Sequence, residues 1–228
     1  MQCITCGTEH DSAFCPNCGE KAVVPSITFR SMLQDLIANS LGTQKGFFYN
    51  LKYLFTQPKP LVESYLKGRR KNIQNPASYL FIAVTLYLIV DALIDTRRET
   101  GAPTTEFYSL GYAAGQFIRA YFKYFWILSI IWLSLASKLV FRTYRLAEHL
   151  AINAFVIGQA TLVGIGSFVI LKLPILFDPV VLCFLIWMLY RIYWQKGDSS
   201  LLKAVATVFF FVLQLLLLAL LGGWCRTL

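Results

Sequence analysis

Hydrophobic positions in this chain gather into long blocks, not short alternations, and the blocks are close to bilayer length. Five are read as spans: Ala77–Asp95, Tyr121–Phe141, Leu150–Leu171, Ile175–Trp194 and Leu201–Gly223. Each holds about 20 residues, which at 1.5 Å per residue covers roughly 30 Å of hydrocarbon. Nearly all the charge lies between the blocks. The expected fold is an all-α polytopic membrane bundle of about five transmembrane helices.

Ahead of the first block the pattern changes to helical stripes. From Ser26 to Leu41 the apolar residues Phe29, Met32, Leu33, Leu36, Ile37 and Leu41 recur with helical spacing, with Arg30, Gln34 and Asp35 off the stripe and Ser26 or Thr28 as N-cap. After Gly42 and Gly46 a second stripe carries Phe47, Phe48, Leu51, Leu54 and Phe55, interleaved with Tyr49, Lys52 and Tyr53, and Pro58 stops it. Aromatic and lysine residues on one short helix suit the headgroup zone, but the same pattern suits a helix packed on the cytoplasmic ends of the bundle. A third short helix has Pro60 near its start and Gly68 past its end, the asymmetry of N1 proline and C′ glycine. Arg69, Arg70 and Lys71 follow and are expected to contact membrane lipids or another anion.

The front of the chain reads differently again. Met1 to Cys6 has neither the basic nor the apolar region of a signal peptide, so a soluble or interfacial domain is expected there. Cys3 and Cys6 form one C-x-x-C pair, Cys15 and Cys18 a second, and each pair is followed by glycine, Gly7 and Gly19. Two residues between cysteines let a tight turn aim both thiolates at one ion, and two such knuckles make the tetrahedral sulfur site that Zn²⁺ prefers. Iron and a pair of disulfides are the alternatives. So short a segment cannot bury a sufficient core, so the metal supplies folding free energy. Four thiolates leave no open coordination position, which points to structural rather than catalytic zinc, with redox sensing through the thiolates as a further option. The chain then divides into a ribbon over 1–24, an amphipathic or interfacial helical linker with its basic cluster over 25–76, and a bundle over 77–228.

Charge refines this picture. The net charge is +9, with 57% hydrophobic residues. In a soluble protein that balance would suggest nucleic acid. Here the ribbon itself is not basic, since Glu9, Asp11 and Glu20 oppose Lys21, and no nucleic-acid partner is expected. The other cations flank spans. With the N-terminus inside, Lys59, Lys67, Arg69, Arg70, Lys71, Lys138, Arg142, Arg145, Arg191, Lys196 and Lys203 are cytoplasmic, against Arg97, Arg98, Arg119, Lys123, Lys172 and Arg226 outside. That bias favours a cytoplasmic N-terminus in a cell inner membrane, which also keeps the thiols reduced, and five spans put the C-terminus outside.

Within the spans, Ala154-x-x-x-Gly158 and Ala160-x-x-x-Gly164, with Gly166 beyond, mark the third as the packing centre; a glycine-weakened helix lining a substrate path is the sharper alternative. Asn153 and Gln159 lie on it. Asp91, four residues before Asp95, is an intramembrane acid or a solvated interfacial one. Asp91, Asn153 and Gln159 are the candidates for an intramembrane polar site. Glu148 and His149 read as a solvated loop end, and Pro174 and Pro179 as a turn and helix start. No catalytic signature is present, so no catalytic residue is expected.

Cys3, Cys6, Cys15 and Cys18, followed by the stretch from Gly46 through Leu54, Pro58, Tyr65, Leu66, Gly68, Arg70, Pro76 and Tyr79, carry a resemblance. The pattern L-x-x-x-P, then Y-L-x-G-x-R, then a proline opening the first span resembles a family of uncharacterised bacterial membrane proteins catalogued as domain of unknown function 3667. The resemblance implies a polytopic protein with a cytoplasmic zinc ribbon and no assigned activity. It also implies that Tyr65, Gly68 and Arg70 act together. The expected function is a membrane-anchored interaction or regulatory module, reaching a protein partner through the ribbon or by self-association. The alternative is a transporter or channel for a small solute, ion or lipid, and an enzyme acting on lipid comes last.

Overall fold

A computed structural model describes residues 1–20, 27–28, 30, 44–94, 126–171, 173, 175–195 and 199–227. The helices are α1 (Gln44–Thr56), α2 (Pro58–Leu66), α3 (Pro76–Leu93), α4 (Trp126–Val140), α5 (Leu146–Leu171), α6 (Pro179–Tyr193) and α7 (Ser200–Thr227), with a 3₁₀ turn at Ile175–Phe177. Among the described residues there is no β-strand; an isolated bridge joins Gln2 and Glu9. The helix expected over Ser26–Leu41 lies outside the described residues.

Among the described residues, three helices are long and apolar enough to cross a membrane: Pro76–Leu93, Leu146–Leu171 and Ser200–Leu218. Their exposed faces carry Phe81, Leu86, Ile89, Val169, Ile170, Phe209, Leu213 and Leu217, a surface that water would not tolerate over such an area. The other two expected spans are shorter as described. The second, Tyr121–Phe141, is described from Trp126, and its helix ends at Val140. The fourth is shorter than the block Ile175–Trp194, because a 3₁₀ turn precedes it and the helix starts at Pro179. Asp178 sets that start: its Oδ1 accepts from the Val180 amide at 2.8 Å, with Pro179 at N1. Asn75 and Pro76 start α3 in the same way, the Asn75 Oδ1 accepting from Ala77 N–H at 2.8 Å.

The packing centre is α5, as the small-residue spacing indicates. Its best apolar window is 61% buried, against 39% in α3 and 28% in α7. Side-chain pairs give the directions of its neighbours. Tyr79 lies against Gly158 and Tyr87 against Phe168, so α3 runs parallel to α5. Trp126 Nε1 donates to Thr161 at 2.8 Å and Ser137 Oγ meets His149 at 2.9 Å, so α4 is antiparallel to it. Val181 faces Gly164 and Tyr193 reaches His149, so α6 is antiparallel too.

The glycines mark the closest approaches. A Cβ on Gly158 would lie 2.9 Å from the Tyr79 ring and 3.3 Å from Leu80 Cα. One on Gly164 would lie 2.5 Å from Ile175 Cδ1 and 3.0 Å from Val181. Gly166, by contrast, faces open space.

Because Tyr79, near the start of α3, sits level with Gly158, midway along α5, the first half of α5 projects beyond α3. The helices α1 and α2 pack around that projecting half. Tyr65 of α2 meets Phe155 edge-on at 5.4 Å, Phe55 of α1 meets Phe184 of α6 at 5.6 Å, and Gln159 Nε2 donates to the Leu51 carbonyl at 3.4 Å. Buried Asn50 pairs with the backbone of Gln74 in both directions, donating to its carbonyl at 3.0 Å and accepting from its N–H at 3.3 Å. This ties α1 to the approach to α3. The second stripe therefore serves two faces: Leu54 is fully buried, whereas Phe48 and Phe55 are exposed beside Lys45 and Lys52.

Candidate metal centre and its dock on the bundle

The two cysteine knuckles fold as copies of each other. Gly7 N–H donates to the Cys3 carbonyl at 3.0 Å, and Gly19 N–H to that of Cys15 at 2.8 Å. Both glycines take φ of +73°, the left-handed region that a side chain disfavours, which is why glycine follows each pair. Cys3 N–H then closes back on the Thr8 carbonyl at 3.0 Å, and Cys15 N–H on that of Glu20 at 2.8 Å. Thr8 and Glu20 thus occupy equivalent places in the two knuckles.

This pairing brings all four sulfurs within 4.8 Å of one another. Cys3 and Cys18 are 3.5 Å apart, as are Cys6 and Cys15. A disulfide needs about 2.05 Å, so these are four free thiols. A tetrahedral ion with metal–sulfur bonds of about 2.3 Å needs sulfurs roughly 3.8 Å apart, and the cluster fits that geometry. The residues Cys3, Cys6, Cys15 and Cys18 could therefore hold a metal ion.

The protonation of the cluster makes the same point. Thr8, through its hydroxyl at 3.2 Å and its backbone, holds the Cys6 thiol down to about 6. Hydrogen bonds from the backbone of Cys6 and Thr5 also lower Cys3. Cys18 accepts from the Glu20 backbone, but desolvation and the three neighbouring sulfurs outweigh that and push it up to about 12. Four sulfurs this close cannot all ionise unless a cation neutralises them. Thr8 is in turn steadied by Asn17, whose Nδ2 donates to its hydroxyl at 3.3 Å. Replacing Thr8 with alanine should weaken metal affinity roughly tenfold, as measured by competition with a chromogenic chelator.

The dock of this unit and its key residue, Glu20, have no local signature in the sequence. The Glu20 carboxylate is buried, although it leaves the ribbon for a segment 50 residues away. One oxygen accepts from Arg70 N–H at 3.2 Å, the other from Lys71 N–H at 3.1 Å and from the Thr5 hydroxyl at 2.8 Å. Lys71 Nζ adds a bond to the Cys18 carbonyl at 2.6 Å.

The turn that receives Glu20 is made by the end of α2. Gly68 N–H donates to the Tyr65 carbonyl at 3.0 Å and Arg69 N–H to that of Ser64 at 3.0 Å, with Gly68 at φ +104°. This is a Schellman stop with glycine at C′, as its spacing predicts. The helix itself begins at Pro58, ahead of the Pro60 signal. Arg70 folds back, its guanidinium 3.8 Å from the Tyr65 ring centre and bonded to the Tyr65 carbonyl. Since Tyr65 rests on Phe155, the sequence Tyr65–Gly68–Arg70 forms one contact chain from the ribbon to α5.

Residues 44–88 match a protein-family model described as Protein of unknown function (DUF3667). No curated protein and no solved structure matches the chain. The matched segment is α1, α2, the basic turn and most of α3, the unit held together by Asn50–Gln74, Tyr65–Arg70 and the Asn75–Pro76 cap. The four cysteines lie outside it.

The remaining candidates are not brought together. Asp91 is exposed on α3; it and the buried Asp178 at the head of α6 both lie within electrostatic reach of Tyr87. Gln159 is buried and accepts from the Tyr79 hydroxyl. Asn153 is buried elsewhere on α5, donating to Ser134 and Ser137 at 3.2 and 2.9 Å.

That second group corrects the reading of His149, which is fully buried and not a solvated loop end. Its Nδ1 lies 2.9 Å from Ser137 Oγ and 2.8 Å from the Tyr193 hydroxyl, so Ser137, His149 and Tyr193 pin the ends of α4, α5 and α6 together. Glu148, its neighbour, instead accepts from Arg145 N–H at 2.7 Å. Tyr193→Phe should cost about 1 kcal/mol, read as a lower melting temperature in detergent.

Proposed function

We propose that this protein is a multi-pass membrane protein whose N-terminal zinc ribbon serves as an interaction or regulatory module on the cytoplasmic side. The carrying observation is a closed four-sulfur cluster, with no position left for a substrate, fastened through Glu20 to a bundle with membrane-crossing helices. The zinc is structural in this reading, and the role is not enzymatic. The ribbon leaves Ile4 and Phe14 exposed, apolar positions suited to a protein partner.

Five crossings, with the N-terminus inside and the C-terminus outside an inner membrane, fit the alternation of α3, α4, α5 and α6. In that arrangement α4 and α6 complete their crossings with flanking residues or locally thinner lipid.

The test is a pull-down from detergent with full-length protein and an Ile4→Ser/Phe14→Ser variant, alongside metal analysis of both. The expected result is about one zinc per chain in each and the loss of specific partners from the variant. Identical partner sets at equal metal content would count against the module.

A transporter is the second reading, supported by the buried Ser134, Ser137, His149 and Asn153. It is weakened where the path would run. Gly158 is covered by Tyr79 and Gly164 by Ile175 and Val181, so these two glycines admit neighbouring side chains rather than a solute.

A further inference from the structure

The contact between the ribbon and the basic turn has the form of an occupied anion site. Arg70 and Lys71 present two successive backbone N–H groups to the two oxygens of one carboxylate, at 3.2 and 3.1 Å. Successive amides aimed at one point in a turn form a concavity that binds anionic oxygens, phosphates above all. The turn is bracketed by residues of positive φ, Gly68 at +104° and Asn72 at +63°. Cations surround it. Arg69 has a buried Nε with no hydrogen-bond partner among the described residues, and Lys71 carries its ammonium over the ribbon edge.

The oxygens now filling this concavity come from a separate part of the chain. Glu20 reaches it across 50 residues and brings with it only Thr5 as a further donor. A carboxylate there satisfies the amides but carries less charge and fewer acceptor oxygens than a phosphate monoester.

We infer that the Arg69–Lys71 turn is a phosphate-binding site and that Glu20 of the ribbon occupies it as a built-in competitor. A free phosphate compound and an anionic lipid headgroup share the required chemistry. Displacing Glu20 opens two amide donors and the Arg69 and Lys71 cations together. Loss of the metal, by loosening the knuckle that carries Glu20, opens the same site. The inference rests on residues 1–20 forming a metal-held ribbon, and the experiment reads that condition separately.

Full-length protein in detergent would be compared as wild type, Glu20→Gln and Glu20→Gln/Arg69→Ala/Lys71→Ala. Inorganic phosphate binding is followed by calorimetry. Retention of phosphatidylglycerol against phosphatidylcholine is followed by native mass spectrometry. Glu20→Gln should bind one of the two anionic probes at least about tenfold more tightly than wild type, and the triple variant should lose the gain. Chelator-stripped wild type should show the same gain without any substitution. A gain confined to phosphate identifies a soluble ligand, and one confined to phosphatidylglycerol identifies the headgroup. Equal binding of both probes by wild type, Glu20→Gln and stripped protein overturns the inference, as does a gain that survives removal of Arg69 and Lys71. Metal content on the same samples tests the ribbon itself: a wild-type preparation without metal counts against the ribbon, while unchanged anion binding at normal metal content counts against the competitor.

Discussion

Cys15→Ser should reduce bound zinc from about one ion per chain to near none and leave the first twenty residues without stable structure. The reason is that residues 1–20 bury little hydrocarbon of their own, so their hydrogen bonds and the Glu20 contact need the metal to hold the two knuckles together. Met1, Ile4 and Phe14 are exposed, and the buried Cys3 and Cys15 belong to the four-sulfur cluster proposed to hold the metal. In such small units metal binding and folding are one equilibrium. Amide hydrogen exchange should show residues 1–20 losing protection while α5 keeps it. Acidification should act in the same direction. The metal binds thiolates, so protons compete with it, and the site must displace a proton from Cys18, held up to about 12 in the metal-free cluster. Apparent affinity should therefore fall as pH falls, about tenfold per pH unit for each proton displaced. Full zinc occupancy in the serine variant, or affinity that does not change between pH 8 and 6, would contradict this account.

The second large effect is expected at Gly158. Leucine there must put its Cβ where the Tyr79 ring already stands 2.9 Å away and the Leu80 backbone 3.3 Å away. A ring can turn, but the backbone of a packed helix cannot, so α3 must move off α5. Overpacking of this kind costs about 1–3 kcal/mol, and displacement of Tyr79 from Gln159 adds about 1 kcal/mol. For a chain of this size that corresponds to a drop of roughly 5–15 °C in melting temperature in detergent. Gly164→Leu should behave alike through Ile175 and Val181. Gly166→Leu is the control, since nothing lies within 4 Å of its added carbon. Equal damage from Gly158→Leu and Gly166→Leu would show that helix composition, and not the α3–α5 contact, governs stability.

The features that could be read directly are those whose physics is local. The C-x-x-C-G spacing encodes a turn and a pair of converging sulfurs within seven residues. Pro76 and Gly68 act on the backbone groups next to them, and they open α3 and close α2 as their positions imply. Ala154-x-x-x-Gly158 and Ala160-x-x-x-Gly164 encode two close-approach patches on different sides of one helix, the first filled by Tyr79 of α3 and the second by Ile175 and Val181.

Other residues gave no such signal. Glu20 sits at the same offset from its cysteine pair as Thr8, and that internal symmetry was the one available hint that it had a structural role. Its destination at Arg70 and Lys71 was not legible. His149 beside Glu148 looks like a loop end, and only the arrival of Ser137 and Tyr193 from other helices makes burial of its ring favourable. Asp178 caps α6 from a fully buried position, a burial that its neighbours in sequence do not signal.

By itself, then, the amino-acid order determined the convergence of four sulfurs, the apolar helices, the stop at Gly68 and the close-approach positions of α5, because each depends on residues within a few turns of one another. The tertiary structure decided that α1 and α2 wrap the projecting half of α5, that Arg70 stacks on Tyr65, and that Glu20 closes over the basic turn. Those outcomes depend on which distant surface satisfies a buried charge or fills a void, and no local window of sequence contains that partner.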